Sequence, residues 1–253
     1  MKVAMIGHKV VPSRRGGIES VLTNLCPIMA EMGVDVTCYN RSSDKVENEY
    51  VGTVVNNEYR GVKIKKAWTL SGKGVSAMIA SFTAAISAAF GKYDIVHFHA
   101  EGPCAALWIP KLFGKKCVAT VHGLDWQREK WGKGFASKYI KFGEKILAKY
   151  ADEVIVLSQS AYDYFKETYN RETVIIHNGI SVLKCASRNT VATRCKPCAR
   201  PCRVSSLHKS IRNLIGKVYG PTFSNLKNGA ETLNEIHTDH CAGHLCLGGV
   251  VGR

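Results

Sequence analysis

Nowhere in the 253 residues does an apolar stretch reach the roughly 20 residues that a membrane-spanning helix needs. The nearest, residues 75–90, is dominated by Ala and Ser and interrupted by Ser76, Ser81, Thr83 and Ser87. The apolar run between Met1 and His8 is too short for a signal-peptide core, so the chain reads as cytoplasmic. Two phosphate-binding signatures are missing as well. There is no Gly-x-Gly-x-x-Gly, and no glycine-rich loop ends in Gly-Lys-Ser/Thr, which excludes the ordinary dinucleotide and Walker-type sites. Acidic residues are scarce: 20 Asp and Glu stand against 35 Lys and Arg, a formal net charge of +15. An excess of that size points to an anionic partner, whether nucleic acid, an acidic membrane surface or a phosphate-bearing substrate. The 45% hydrophobic and 22% charged residues are ordinary for a globular chain, so wholesale disorder and a fibrous fold are excluded.

Neither the charge nor the cysteines are evenly spread. Residues 181–253 carry 11 Lys and Arg against 3 Asp and Glu, a net of +8, and six of the ten cysteines. Residues 1–180 carry 24 against 17, a net of +7. The chain therefore divides at about residue 180, and most of the excess charge says little about what the first part binds.

Over residues 1–180 strand-like and helix-like stretches alternate. Apolar runs at 2–7, 34–39, 62–68, 94–99, 117–121, 153–157 and 173–176 predict strands. Helical spacing covers 17–32, where Ile18, Val21, Leu22, Leu25, Ile28, Met29 and Met32 share a face, with Gly33 at the C-cap position. Further helices are predicted at 75–90, 105–113, 133–150 and 160–169, and the polar stretch 41–57 shows no clear element. Such alternation implies right-handed βαβ crossovers and an α/β fold, a Rossmann-like parallel sheet with helices on both faces. Its strands are nearly continuous apolar runs, as expected when both faces are covered. Ligands of these sheets bind outside the carboxyl ends of the strands. That places four loops at a mouth: 8–17, 99–103, 122–131 and 178–180.

In the first loop, Ser13-Arg14-Arg15-Gly16-Gly17 runs into the first helix. Paired glycines permit a sharp turn and close approach of a ligand, and the helix N-terminus adds free N–H groups for a phosphate. Arg15 would add charge; the plainer reading is a tight turn with solvated arginines. Glu19 suits the first helical turn by its charge alone. In the third loop, His122-Gly123-Leu124-Asp125 offers a group able to hydrogen-bond a sugar hydroxyl or act as acid or base, with Asp125 to orient it or cap a turn. His97 and His99 fall on one face of their strand. A metal pair is conceivable there, but hydrogen-bonded core histidines are the commoner case. Lys138, Lys141, Lys145 and Lys149 form one basic helical stripe, either a solvated face or a contact for anionic lipid headgroups.

Residues 181–253 show no sustained period beyond one short helical stretch at 211–218. Cys195, Cys198 and Cys202 with His240, Cys241, His244 and Cys246 raise zinc, but the spacing departs from finger patterns, so no metal site is expected. This part reads as a tail that is disordered or non-native, and it lacks any recognisable nucleic-acid fold.

Taken together, five segments resemble the N-terminal domain of family 4 glycosyltransferases of the GT-B fold, most closely the bacterial rhamnosyltransferase and capsule type. They are Ile6-Gly7-His8 with Gly16-Gly17-Ile18-Glu19, Asp94-Ile95-Val96-His97-Phe98-His99, Thr120-Val121-His122-Gly123-Leu124-Asp125, Val154-Ile155-Val156-Leu157-Ser158 and Ile176-His177-Asn178-Gly179-Ile180. The resemblance implies transfer of a sugar from a nucleotide-sugar donor to a glycan or lipid-linked acceptor, retaining and without a metal or other cofactor. It implies that Gly16, Gly17, Arg15, Glu19, Asp125 and Asn178 bind substrate or donor and that His122 lies near the transferred sugar as the catalytic residue. It also implies a second, nucleotide-binding Rossmann domain, which residues 181–253 do not resemble. The chain thus reads as a truncated transferase half; the alternatives are one half of a two-chain transferase or a basic nucleic-acid or membrane-binding module.

Overall fold

A computed structural model describes residues 1–43, 54–70, 72, 75–124, 134–178 and 214–219. Eight strands form one sheet in the order β3-β4-β2-β1-β5-β6-β7-β8. They are β1 (Lys2–Ile6), β2 (Asp35–Arg41), β3 (Glu58–Tyr59), β4 (Val62–Ala67), β5 (Ile95–His99), β6 (Lys116–Val121), β7 (Glu153–Val156) and β8 (Val174–Ile175). All neighbours run parallel except β3, which turns back antiparallel on β4. The sheet is therefore mixed rather than wholly parallel. Two residues of strand just after the polar stretch 41–57 carry no periodicity to read, so β3 has no signature in sequence.

The helices are α1 (Gly17–Glu31), α2 (Val75–Phe90), α3 (Trp108–Leu112), α4 (Phe135–Tyr150) and α5 (Gln159–Tyr169). The single helix expected at 105–113 is instead a 3-10 turn at Pro103–Ala106 followed by α3. Pro110 lacks the N–H that would bond the carbonyl of Ala106, and this breaks the continuous ladder.

Alternating side chains build two cores. Ala4, Ile6, Val96, Phe98, Ala119, Val121, Val154 and Val156 face α2 to α5. Ala80, Ala84, Ala85 and Ala88 let α2 lie close on that face. Between helices, buried Glu144 of α4 accepts hydrogen bonds from the hydroxyls of Tyr164 and Tyr169. Val3, Met5, Val36, Cys38, Ile95, Val118 and Ile155 point the other way, onto Leu22, Leu25 and Met29 of α1. Leu214, Val218 and Tyr219 join that second core, from a π-type turn at Leu214–Val218. These few residues of the basic segment are packed; the cysteines and histidines raised as zinc ligands lie outside the described residues.

The order of strands reverses at β1, whose neighbours β2 and β5 are reached by crossovers in opposite directions. A crevice forms at such a switch point. No described helix is long and apolar enough to cross a membrane.

Candidate functional site

The loop after β1 is held by three side chains. Asn40, near the end of β2, accepts from the Val11 N–H at 2.9 Å and donates to the Val11 carbonyl at 2.8 Å. The same Asn40 Oδ1 accepts from His8 Nε2 at 3.0 Å, which fixes His8 with its proton on Nε2. Thr23 of α1 accepts from the Ser13 N–H and donates to the Ser13 carbonyl, both at 3.0 Å. Glu19 Oε1 accepts from the Lys9 N–H at 2.8 Å. Glu19 is thus buried and turned back over its own loop, more than a first-turn charge for the helix dipole. A Cβ on Gly16 would stand 1.9 Å from Glu19 Oε2, whereas one on Gly17 would meet nothing within 4 Å. The two glycines therefore differ: Gly16 makes room for the carboxylate, and Gly17 leaves the start of α1 open to solvent. Arg14 and Arg15 are exposed beside them, and the Arg15 N–H donates to Ser13 Oγ at 3.2 Å.

A second group of side chains lies at the ends of β5 and β6. His97 and His99 do share a face, with ring centroids 4.3 Å apart in a stack. His97 is fully engaged, Nε2 with Thr120 Oγ1 and Nδ1 with the Tyr219 hydroxyl, both at 2.7 Å. His99 Nδ1 lies 3.1 Å from His122 Nε2. Burial holds His97 and His99 far down, His97 to about 3, with neighbouring imidazoles adding to the effect. Both are neutral at pH 7. His99 Nε2 has no partner among the described residues, so the single proton belongs on Nδ1, where it donates to His122; on Nε2 it would be an unpaired buried donor. His122 then accepts at Nε2, and its neutral form carries its proton on Nδ1. The expected signature is one tautomer for His122 in nitrogen-15 NMR, giving way to a mixture in His99→Phe, which keeps the stack without the nitrogen. Unchanged His122 shifts in that variant would remove His99 as the residue that positions it.

These groups line one cleft. Val21 and Leu25 of α1, His97, His99, Thr120, His122, Ile155, Leu157, Ile176, His177, Asn178 and Leu214 enclose a cavity of about 60 Å³. That is room for a few waters, where ligand pockets run to some 300–1,000 Å³. His177 donates from Nδ1 to the Leu157 carbonyl at 2.9 Å, and Asn178 beside it is exposed. Of the residues expected at the site, His122 and Asn178 meet in this cleft. Arg15, Gly16, Gly17 and Glu19 sit on the β1–α1 loop, and Asp125 lies outside the described residues. Among the described residues no group of three His, Cys, Asp or Glu is placed to hold a metal ion. Asn40, Thr23, His177 and Tyr219 were not expected. Asn40 had a signal, an amide at the end of the apolar run 34–39, and His177 stood in the segment 176–180.

Comparison with known proteins adds a family to this geometry. No curated protein matches the chain significantly. Among solved structures it is similar to sucrose-phosphate synthase from Thermosynechococcus elongatus, with a TM-score of 0.51 at 16% identity over 71% of this chain and 48% of that one. It is also similar to Anabaena HepE in complex with UDP and glucose, with a TM-score of 0.49 at 14% identity over 71% of this chain and 45% of that one. The chain spans about half the length of either. At that identity the first likeness shows the fold, the Rossmann-like half of a GT-B architecture. The sequence profile of glycosyltransferase family 4 matches residues 15–182, from the glycine pair to just past Asn178 and so well over half the chain. On that match the chain belongs to glycosyltransferase family 4.

Proposed function

We propose that residues 1–180 are the acceptor-side half of a retaining, metal-independent glycosyltransferase of the rhamnosyltransferase and capsule type. It moves a sugar from a nucleotide-sugar to a glycan or lipid-linked acceptor in surface polysaccharide synthesis, at the cytoplasmic face of the membrane. The observation that carries this is the meeting of His122 and Asn178 in one cleft at the carboxyl edge of the sheet. Gly17 leaves a helix N-terminus open nearby for the donor diphosphate, with Arg15 alongside and Glu19 holding the loop. Charge building on the leaving diphosphate is met by those backbone N–H groups and basic side chains, while His122 and Asp125 serve the sugar. The exposed lysines 138, 141, 145 and 149 of α4 face the anionic membrane.

A cavity of about 60 Å³ among the described residues is too small for a nucleotide-sugar, which supports a donor-binding half closing over this edge. That half lies outside residues 1–180, and a separate subunit would serve as well as a longer chain. The test is to add acceptor glycan, and separately nucleotide-sugar, to the purified chain and follow the His122 resonances. Acceptor should shift them, nucleotide-sugar alone should bind weakly, and turnover should be absent until a donor half is supplied. In the completed enzyme His122→Ala should lower kcat by about 10²–10⁴-fold with little change in stability. Unaltered kcat, or tight nucleotide binding with no acceptor response, would overturn the assignment.

A further inference from the structure

At the amino edge of the sheet, opposite the cleft, two helix ends leave apolar side chains in solvent. Phe90 closes α2 and is 73% exposed; Leu112 closes α3 at 75%, and Phe113 follows at 50%. The Phe90 and Phe113 rings meet edge to face at 4.7 Å, which joins the two ends into one patch. Ile86 and Trp108, one turn back on each helix and exposed by 46% and 41%, extend it. Apolar side chains scattered singly on a surface are ordinary; five on two adjoining helix ends, with two rings in contact, are a candidate contact surface.

The charge around the patch is predominantly basic. From residue 75 to 116 the only acids are Asp94 and Glu101. Glu101 is fully buried; Asp94 is exposed and accepts a hydrogen bond from the Lys2 N–H. Lys92 and Lys116 are exposed at the rim, and Lys115 reaches the Gly91 carbonyl that follows α2. Lys111 pairs with Asp152 just beyond α4, so the rim continues toward Lys149. A second copy of the chain docking here would set Lys92, Lys115 and Lys116 against their own counterparts, with Asp94 the exposed acid among them and Asp152 already paired with Lys111, and like charges in excess disfavour such a contact. An anionic surface that accepts exposed aromatic and aliphatic tips satisfies both features at once.

We propose that the Phe90–Leu112–Phe113 patch with its lysine rim is a membrane-contact surface that seats on a bilayer containing anionic phospholipid. The rim supplies long-range attraction and the apolar tips enter the headgroup boundary. This goes beyond the α4 lysine stripe, because it names an apolar anchor, and it does not depend on the transferase reading. The test is co-sedimentation of the full chain with vesicles of phosphatidylglycerol and phosphatidylcholine, against phosphatidylcholine alone. Wild type should bind the anionic vesicles only. Leu112→Ser/Phe113→Ser should weaken binding about tenfold or more, and Lys92→Gln/Lys116→Gln should weaken it severalfold and in a salt-dependent way. All four side chains are exposed, so thermal unfolding should stay the same in each variant. Binding equal to wild type in the Ser variant would overturn the proposal. So would a concentration-dependent dimer in light scattering that the Ser variant abolishes, since the patch would then be a self-interface.

Discussion

As the pH falls from 6.5 to 5 the folded chain is expected to lose stability at a rate that approaches about 4 kcal/mol per pH unit, more steeply than carboxylates alone would impose. His8, His97 and His99 are each 1% exposed. Burial pushes His8 down to about 4, although its bond to Asn40 and the nearby Glu19 carboxylate pull the other way. His97 is lowered to about 3 and His99 well below its ordinary value, again by burial first. In the unfolded chain all three titrate near 6.5. Above pH 6.5 both states hold them neutral and nothing is lost. Below it the unfolded state binds three protons that the folded state refuses, and each contributes about 1.4 kcal/mol per pH unit to the loss. At pH 5 the sum is about 6 kcal/mol, comparable with the whole stability of a typical domain, roughly 5–15 kcal/mol.

Urea unfolding at pH 7.5, 6.5 and 5.5 measures this directly. His97→Asn removes one titrating group while keeping polar atoms for Thr120 or Tyr219, so its pH slope should fall by about a third. A slope in that variant equal to wild type would show that His97 is not held neutral. The result bears on function too. At pH 7 these imidazoles are hydrogen-bonding groups, which leaves the proposed acid or base role with His122, at the cleft and only partly buried.

The sheet was legible because its information is local. Apolar runs fixed β1, β5 and β7 within a residue or so, and the Ala-rich stretch gave α2 from Val75 to Phe90 as it stands. The placing of His97 and His99 on one face followed from strand alternation alone. What sequence could not supply was anything set by contacts distant along the chain. Asn40 grips Val11 across 29 residues, His99 meets His122 across 23, and Tyr219 reaches His97 across 122. No period or spacing encodes such pairs. Glu19 marks the same limit from the other side. Its position in the first turn of α1 suggested a role toward the dipole, and only the folded loop shows its carboxylate bonded to Lys9 and lying over Gly16.

Replacing Gly7 by alanine is expected to cost about 2–6 kcal/mol, while the same change at Gly17 should cost almost nothing. Gly7 ends β1 with φ +113, a conformation L side chains rarely adopt. A Cβ there would stand 2.2 Å from the His99 carbonyl oxygen and 3.1 Å from the His99 nitrogen. Both are backbone atoms of β5, which pairs with β1 from Val3–Ile95 to Ile6–Phe98, so neither can swing aside as a side-chain tip would. Backbone strain of about 1–3 kcal/mol adds to overpacking of about 1–3 kcal/mol. Relief requires the ends of β1 and β5 to part, which would pull His99 from His122 and loosen the loop that Asn40, Thr23 and Glu19 hold. At Gly17 the added methyl meets open space at a helical position, where alanine is the better helix former. Its effect should appear only in binding, because the methyl narrows the approach to the N–H groups at the start of α1. Urea midpoints for both variants, with titration of inorganic diphosphate into Gly17→Ala and wild type, separate the two roles. Equal destabilisation of the two variants would contradict the close approach at Gly7. Equal diphosphate affinity of wild type and Gly17→Ala would mean that the open turn is not where the donor phosphates lie.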